Sequence, residues 1–262
     1  MESRAYLQSI WQARYFWLHL AFSDIRIKYR RSMLGLSWAV IHPFALTCLF
    51  SFVMGNFFKV PMHSYAPFIY SGLIFWEFFI ASIQNSCVSF VTAEGYIKQF
   101  THPLAIYTLR TIIPCYINLL CAFTGLVIWV LSWKFSNLNA SWLTLILAFP
   151  LLFIFIWPLA TICAFIGAKF RDFTQLILIV LQALYYVSPI LFLPDMFIKA
   201  HMGFLLNLNP IYHMLDIFRK PLLEGQLPPM VDFAFMLGTC AVLWLTAWYL
   251  IKRHQKTIIF YL

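Results

Sequence analysis

The chain has 262 residues, of which 63% are apolar, 19% aromatic and only 10% charged, with a formal net charge of +9. A soluble domain is nearer half apolar and a quarter charged, so this composition excludes an ordinary soluble protein and reads as an all-α polytopic membrane protein. The excess of cations does not point to nucleic acid, because the cations flank apolar runs on one side of them.

Residues 6–29 carry Leu7, Ile10, Trp11, Leu18, Phe22, Ile25 and Tyr29 at helical spacing, with Arg4, Gln8, Gln12, His19 and Arg26 largely between them. That pattern predicts one amphipathic helix lying in the membrane interface. The charged, aromatic start after Met1 does not read as a cleavable signal peptide. Arg26, Lys28, Arg30 and Arg31 then crowd into six residues and abut an apolar run, the pattern of a cytoplasmic span mouth. Six spans are expected, at about 36–58, 67–91, 104–133, 142–168, 173–192 and 231–251, each long enough for a ~30 Å hydrocarbon core. Pro43, Pro114, Pro150 and Pro158 fall inside them, so these helices are expected to pack against protein that satisfies the freed carbonyls. Residues 134–141 read as a short polar loop, and 169–172 as a tight charged turn. The connection 193–230 is long but not polar. Its short apolar pieces, broken by Pro194, Pro210, Pro221, Pro228 and Pro229, predict re-entrant helices. The chain accordingly divides into 1–33, an interface helix with its basic cluster, and 34–262, the transmembrane domain.

Six spans put both termini on one side. That side holds Arg4, Arg14, Arg26, Lys28, Arg30, Arg31, Lys98, Arg110, Lys169, Arg171, Lys252, Arg253 and Lys256; the other holds Lys59, Lys134, Lys199, Arg219 and Lys220. The more basic side is the cytoplasmic one, which leaves 193–230 facing outward. The six cysteines, Cys48, Cys87, Cys115, Cys121, Cys163 and Cys240, lie in apolar runs without Cys-x-x-Cys spacing and read as packing residues.

The order of several motifs is informative: Asp24 to Pro43, reading DIRIKYRRSMLGLSWAVIHP; Gly72 to Phe79, GLIFWEFF; Arg171-Asp172; Tyr185 to Ile190, YYVSPI; Asn209-Pro210; and Arg219 to Gly225. Over nearly the whole chain this order resembles the ABC-2 type permeases that export bacterial surface polysaccharides. The Asp-x-x-x-x-Tyr-Arg-Arg-Ser-x-Leu-Gly pattern looks closer to the O-antigen and teichoic acid members than to the capsule branch. The resemblance implies a homodimer in the bacterial inner membrane with two copies of a separate ATPase subunit. It also implies a polysaccharide on an undecaprenyl diphosphate carrier as the substrate. The sequence lacks a Gly-x-x-x-x-Gly-Lys-Ser/Thr loop, so no nucleotide cofactor is expected on this chain; ATP and magnesium would belong to the partner. The chain itself is then a channel-forming permease and not an enzyme.

Candidate sites follow from residue chemistry. Lys28, Arg30 and Arg31 offer the clustered donors that a diphosphate needs, and equally an anchor to anionic membrane lipid. Residues 94–100 form a coupling candidate: Tyr96, Ile97 and Phe100 could fill an ATPase socket, with Glu94 and Lys98 paired at i,i+4. Glu77 is expensive near mid-membrane, so a partner or wet cavity is expected. Glu77, Trp76, Phe78, Tyr185, Tyr186 and Phe192 are the channel-lining candidates, on spans that the resemblance brings near the pore; aromatic belts and helix packing use the same residue types. Asn209, Pro210, His213 and Arg219 are candidates for closing the outer end. His213 and Asp216 lack a third ligand at a recognisable spacing, so no metal is expected. The readings left open are an ABC-2 permease for a drug or lipid, a capsule or teichoic acid exporter, and a membrane-embedded transferase in which Glu77, His213 and Asp216 would have to converge.

Overall fold

The computed structural model describes residues 3–133, 139–255 and 257–261. Most of the expected loop at 134–141, and the cations Lys134 and Lys256, lie outside them. Among the described residues the regular structure is helical throughout, without a strand. Two helices, α1 (Ser3–Gln12) and α2 (Arg14–Tyr29), precede a 3-10 turn and α3 (Trp38–Phe58). Then come α4 (Met62–Cys87), the short α5 (Ser89–Thr92) and α6 (Glu94–Gln99), and α7 (Ala105–Trp133). The chain continues through α8 (Thr144–Lys169), α9 (Phe173–Val187), α10 (Pro194–Lys199), α11 (Gly203–Asn207) and α12 (Pro210–Arg219). A π-helical turn over Lys220–Glu224 leads on, and α13 (Met230–His254) is the last long helix.

Among the described residues five helices are long and apolar enough to cross a membrane: α3, α4, α7, α8 and α13. α4 is the hub, packing against α3, α7, α8, α9 and α12. Its rings Tyr65, Tyr70, Phe75 and Phe78 are buried in one apolar core with Phe155 of α8 and Phe218 of α12. α3 and α13 instead keep most of their surface exposed, as helices that are apolar all round do when they meet lipid or another copy. Small residues let the helices close up. A β-carbon on Gly167 of α8 would lie 2.2 Å from the Cys87 carbonyl oxygen, so α8 touches the end of α4 through bare backbone.

Two expectations need correction. The N-terminal amphipathic segment is two helices, broken at Ala13, and α1 does not lie free on a surface. Tyr6 and Ile10 are buried in a second apolar cluster with Phe90, Ile97 and Leu104. Tyr6 Oη accepts from the Ala105 backbone N–H at 3.3 Å, and burial pushes its phenol up to about 12. The expected fifth span, 173–192, stops as a helix at Val187. The fifteen residues of α9 rise only about 22 Å. The cause is local: Pro189 disfavours the helical region for the residue before it, and Ser188 is extended, with φ −85° and ψ 144°.

Candidate functional site

The basic end of α2 opens onto a cavity of about 400 Å³ between α2, α3, α4 and α7. Lys28, Tyr29 and Ser32 line its approach, Trp38 and His42 come from α3, Glu77 and Phe78 from α4, and Asn118 from α7. The residues lie 90 positions apart in the chain, yet the hydrogen bonds are specific. His42 Nδ1 sits 2.8 Å from Glu77 Oε1, which gives Glu77 the partner expected of an acidic residue in a long apolar helix. Tyr29 Oη donates to Asn118 Oδ1 at 3.0 Å. α3 passes this region with Pro43 inside it, and Thr47 Oγ1 donates to the Pro43 carbonyl at 2.7 Å. Of the three predicted head-group cations only Lys28 lines the cavity; Arg30 and Arg31 are exposed just beyond α2.

The channel-lining candidates separate into two faces of α4, as successive residues on a helix must, being about 100° apart. Glu77 and Phe78 turn to the cavity. Trp76 is buried against Tyr185 of α9, centroids 5.3 Å apart, and Tyr185 stacks edge-on with the exposed Tyr186. Phe192 lies farther along, 6.4 Å from Phe197.

The coupling candidate is a helix, α6, with Glu94 and Lys98 ion-paired across one turn. Its apolar residues do not share one face. Ile97 is buried in the chain's own second cluster, and Tyr96 is half-buried against Phe16, while Phe100 is 47% exposed. A socket on a partner could take Phe100 but not Ile97. A groove of about 440 Å³ borders this element, lined by Phe100, His102, Trp248 and Lys252 among others.

The outer-end candidates gather around the break after α9. Asn209 caps α12, its Oδ1 accepting from Ile211 N at 2.9 Å, and Pro210 occupies the first turn. Its amide also donates to Ser188 Oγ at 2.9 Å. Arg219, at the other end of α12, is only 6% exposed. Its Nη1 donates to the Pro189 carbonyl at 2.6 Å, Nε to Ser71 Oγ and Nη2 to the Phe68 carbonyl, each at 3.0 Å. The guanidinium also lies 3.8 Å from the Phe68 ring centroid. His213 is buried with Nδ1 2.7 Å from Asp232 Oδ1 and Nε2 3.0 Å from the Asn207 carbonyl. A carbonyl only accepts, so the contact with Asn207 is a hydrogen bond donated by Nε2. Asp216 pairs with Lys220 at 2.7 Å. Glu77 thus pairs apart from the other two, while His213 and Asp216 meet through Asp232, which interacts with both; no group of three metal-ligating side chains occurs among the described residues.

Sequence reading missed His42, Asn118, Asp232 and the Asp24–Arg110 pair. An acidic residue at the second position of an apolar run was a usable signal for Asp232. Nothing local announced Asn118.

Curated proteins similar to this chain carry two descriptions, O-antigen export system permease protein and polysialic acid transport protein. This chain is 25% identical over 208 residues to an O-antigen export system permease protein of Klebsiella pneumoniae, covering 78% of each chain. It is 27% identical over 228 residues to a polysialic acid transport protein of Escherichia coli, covering 83% of this chain and 84% of that one. A Myxococcus xanthus O-antigen export system permease protein matches over 247 residues at 20% identity, covering 90% and 91%. No family model matches. The chain resembles polysaccharide-export permeases along most of its length.

Proposed function

We propose that this chain is the membrane-spanning subunit of an ABC exporter that moves a lipid-linked surface polysaccharide, such as O-antigen on undecaprenyl diphosphate, across the bacterial inner membrane. The observation that carries the reading is the similarity to export permeases over 78–90% of the chain, on a bundle whose five long apolar helices suit a bilayer. In this reading residues 1–33 form the cytoplasmic interface segment and 34–262 the transmembrane domain, with both termini cytoplasmic. α9 and the turn after it complete a sixth crossing, and α10–α12 form a re-entrant outer segment. Two copies assemble, and the exposed apolar faces of α3 and α13 support such an assembly. An ATPase subunit docks at α6, where Phe100 and the Glu94–Lys98 pair stay accessible. Lys28, Arg30 and Arg31 receive the carrier's diphosphate, Trp76, Glu77, Phe78, Tyr185, Tyr186 and Phe192 belong to the polymer's path, and Asn209, Pro210, His213 and Arg219 hold its outer end.

Reconstitution tests this reading. Proteoliposomes carrying this chain and its cognate ATPase subunit are expected to move a fluorescent undecaprenyl-diphosphate oligosaccharide in an ATP-dependent way. Undiminished movement without the ATPase, or labelling that finds the termini on opposite sides, overturns it.

A further inference from the structure

We infer that the cavity beneath Lys28 is a saccharide site, which takes the sugar unit attached directly to the carrier's diphosphate. The inference rests on the exporter reading above and adds a second recognition element beside the cations.

The cavity's size comes first. About 400 Å³ falls inside the ~300–1,000 Å³ range of small-molecule sites. The lining is the second argument. A pyranose presents apolar C–H faces ringed by hydroxyls that both donate and accept. Its complement is an aromatic or apolar wall interrupted by planar polar groups. Trp38 and Phe78 supply rings here, and Glu77, Asn118, His42 and Ser32 supply a carboxylate, an amide, an imidazole and a hydroxyl. A purely lipid-facing groove has no use for these four groups, each of which is costly against hydrocarbon.

The polar atoms are also held in place. His42 takes Glu77 Oε1 at 2.8 Å, and the Glu77 side chain is still 36% exposed. Asn118 spends its Oδ1 on Tyr29, which leaves the amide's two donors for another partner. Position is the third argument. Lys28 lines the same cavity, and Arg30 and Arg31 follow it by two and three residues. A diphosphate on Lys28 holds its attached sugar at the cavity that Glu77 and Asn118 line. Cations alone bind any lipid diphosphate; a neighbouring polar cavity lets the protein tell a loaded carrier from a spent one.

Binding of fluorescent short-chain prenyl diphosphates to the purified full-length chain in nanodiscs tests this. One probe bears a single hexose and the other is bare. The wild type is expected to bind the hexose probe on the order of tenfold more tightly. Glu77→Gln and, separately, Asn118→Ala are expected to reduce that preference to near unity with the bare probe's affinity unchanged, both variants still melting cooperatively as folded chains. Replacing Lys28, Arg30 and Arg31 by Gln is expected to weaken both probes alike. Equal binding of the two probes to the wild type overturns the saccharide site and leaves the exporter reading standing. So does competition in which phosphatidylglycerol displaces the hexose probe as well as unlabelled hexose probe does, since the cavity then takes a phospholipid head group. If neither probe binds a folded chain, the diphosphate assignment falls too, and the saccharide site with it.

Discussion

Arg110 of α7 grips Asp24 of α2 with two hydrogen bonds, Nε to Oδ2 at 2.6 Å and Nη2 to Oδ1 at 2.8 Å. The pair is bidentate and about three-quarters buried, so it fastens the N-terminal segment to the bundle in one orientation. It also sets where α2 delivers Lys28 and Tyr29 to the cavity. Asp24→Asn is expected to destabilise the chain by about 1–3 kcal/mol, the cost of weakening a partly buried charge pair. The exchange Asp24→Arg with Arg110→Asp is expected to recover part of that loss. Thermal unfolding in detergent, arranged as a double-mutant cycle, measures both; additive losses would show that the pair does not couple the two helices.

The backbone contact between α8 and α4 predicts an asymmetry between two glycines. Gly167→Ala puts a methyl 2.2 Å from the Cys87 carbonyl, and the helices must part. A loss of about 1–3 kcal/mol or more is expected. Gly238→Ala in α13 meets nothing within 4 Å and is expected to be neutral or to stabilise by up to ~1 kcal/mol, through helix propensity. Melting temperatures of the two variants, measured side by side, decide the matter.

α6 separates folding from docking. Ile97→Ala empties part of a packed cluster and is expected to cost about 2–5 kcal/mol. Phe100→Ala removes an exposed ring and is expected to leave unfolding within ~0.5 kcal/mol of the wild type. Under the exporter reading Phe100→Ala nonetheless reduces ATPase stimulation severalfold. Normal stimulation by Phe100→Ala would move the docking surface elsewhere.

Among the described residues Arg219 is buried without a carboxylate in hydrogen-bond contact, Asp216 acting on it only from a distance, and it donates to three oxygens of α4 and of the residues after α9. Arg219→Met is expected to cost about 1–3 kcal/mol, since the Pro189 carbonyl and the Ser71 hydroxyl lose a donor in an apolar setting, while the Phe68 carbonyl keeps the Ser71 hydroxyl. Gly72→Ala acts on the same contact from the other side, because its methyl would lie 2.6 Å from Nη2. Combined with Arg219→Lys it is expected to cost less than the sum of the two single changes. Proteolytic nicking within 188–192 reports the loosening directly.

Long helices were legible from residue order, because a bilayer demands about twenty consecutive apolar residues and few arrangements meet that demand. The predicted spans at 36–58 and 104–133 match α3 and α7 within two residues at each end, and the basic cluster before the first marked the cavity's approach. Pro189 also announced the end of α9, although an apolar run continuing to residue 192 hid it. Which polar groups meet was not legible. His42 and Glu77, Tyr29 and Asn118, and His213 and Asp232 are 35, 89 and 19 residues apart, and only helix packing selects them. A helix declares its apolar face through its own periodicity, but a hydrogen bond between two helices depends on their rotation and depth, which are set by close contacts such as Gly167 on Cys87.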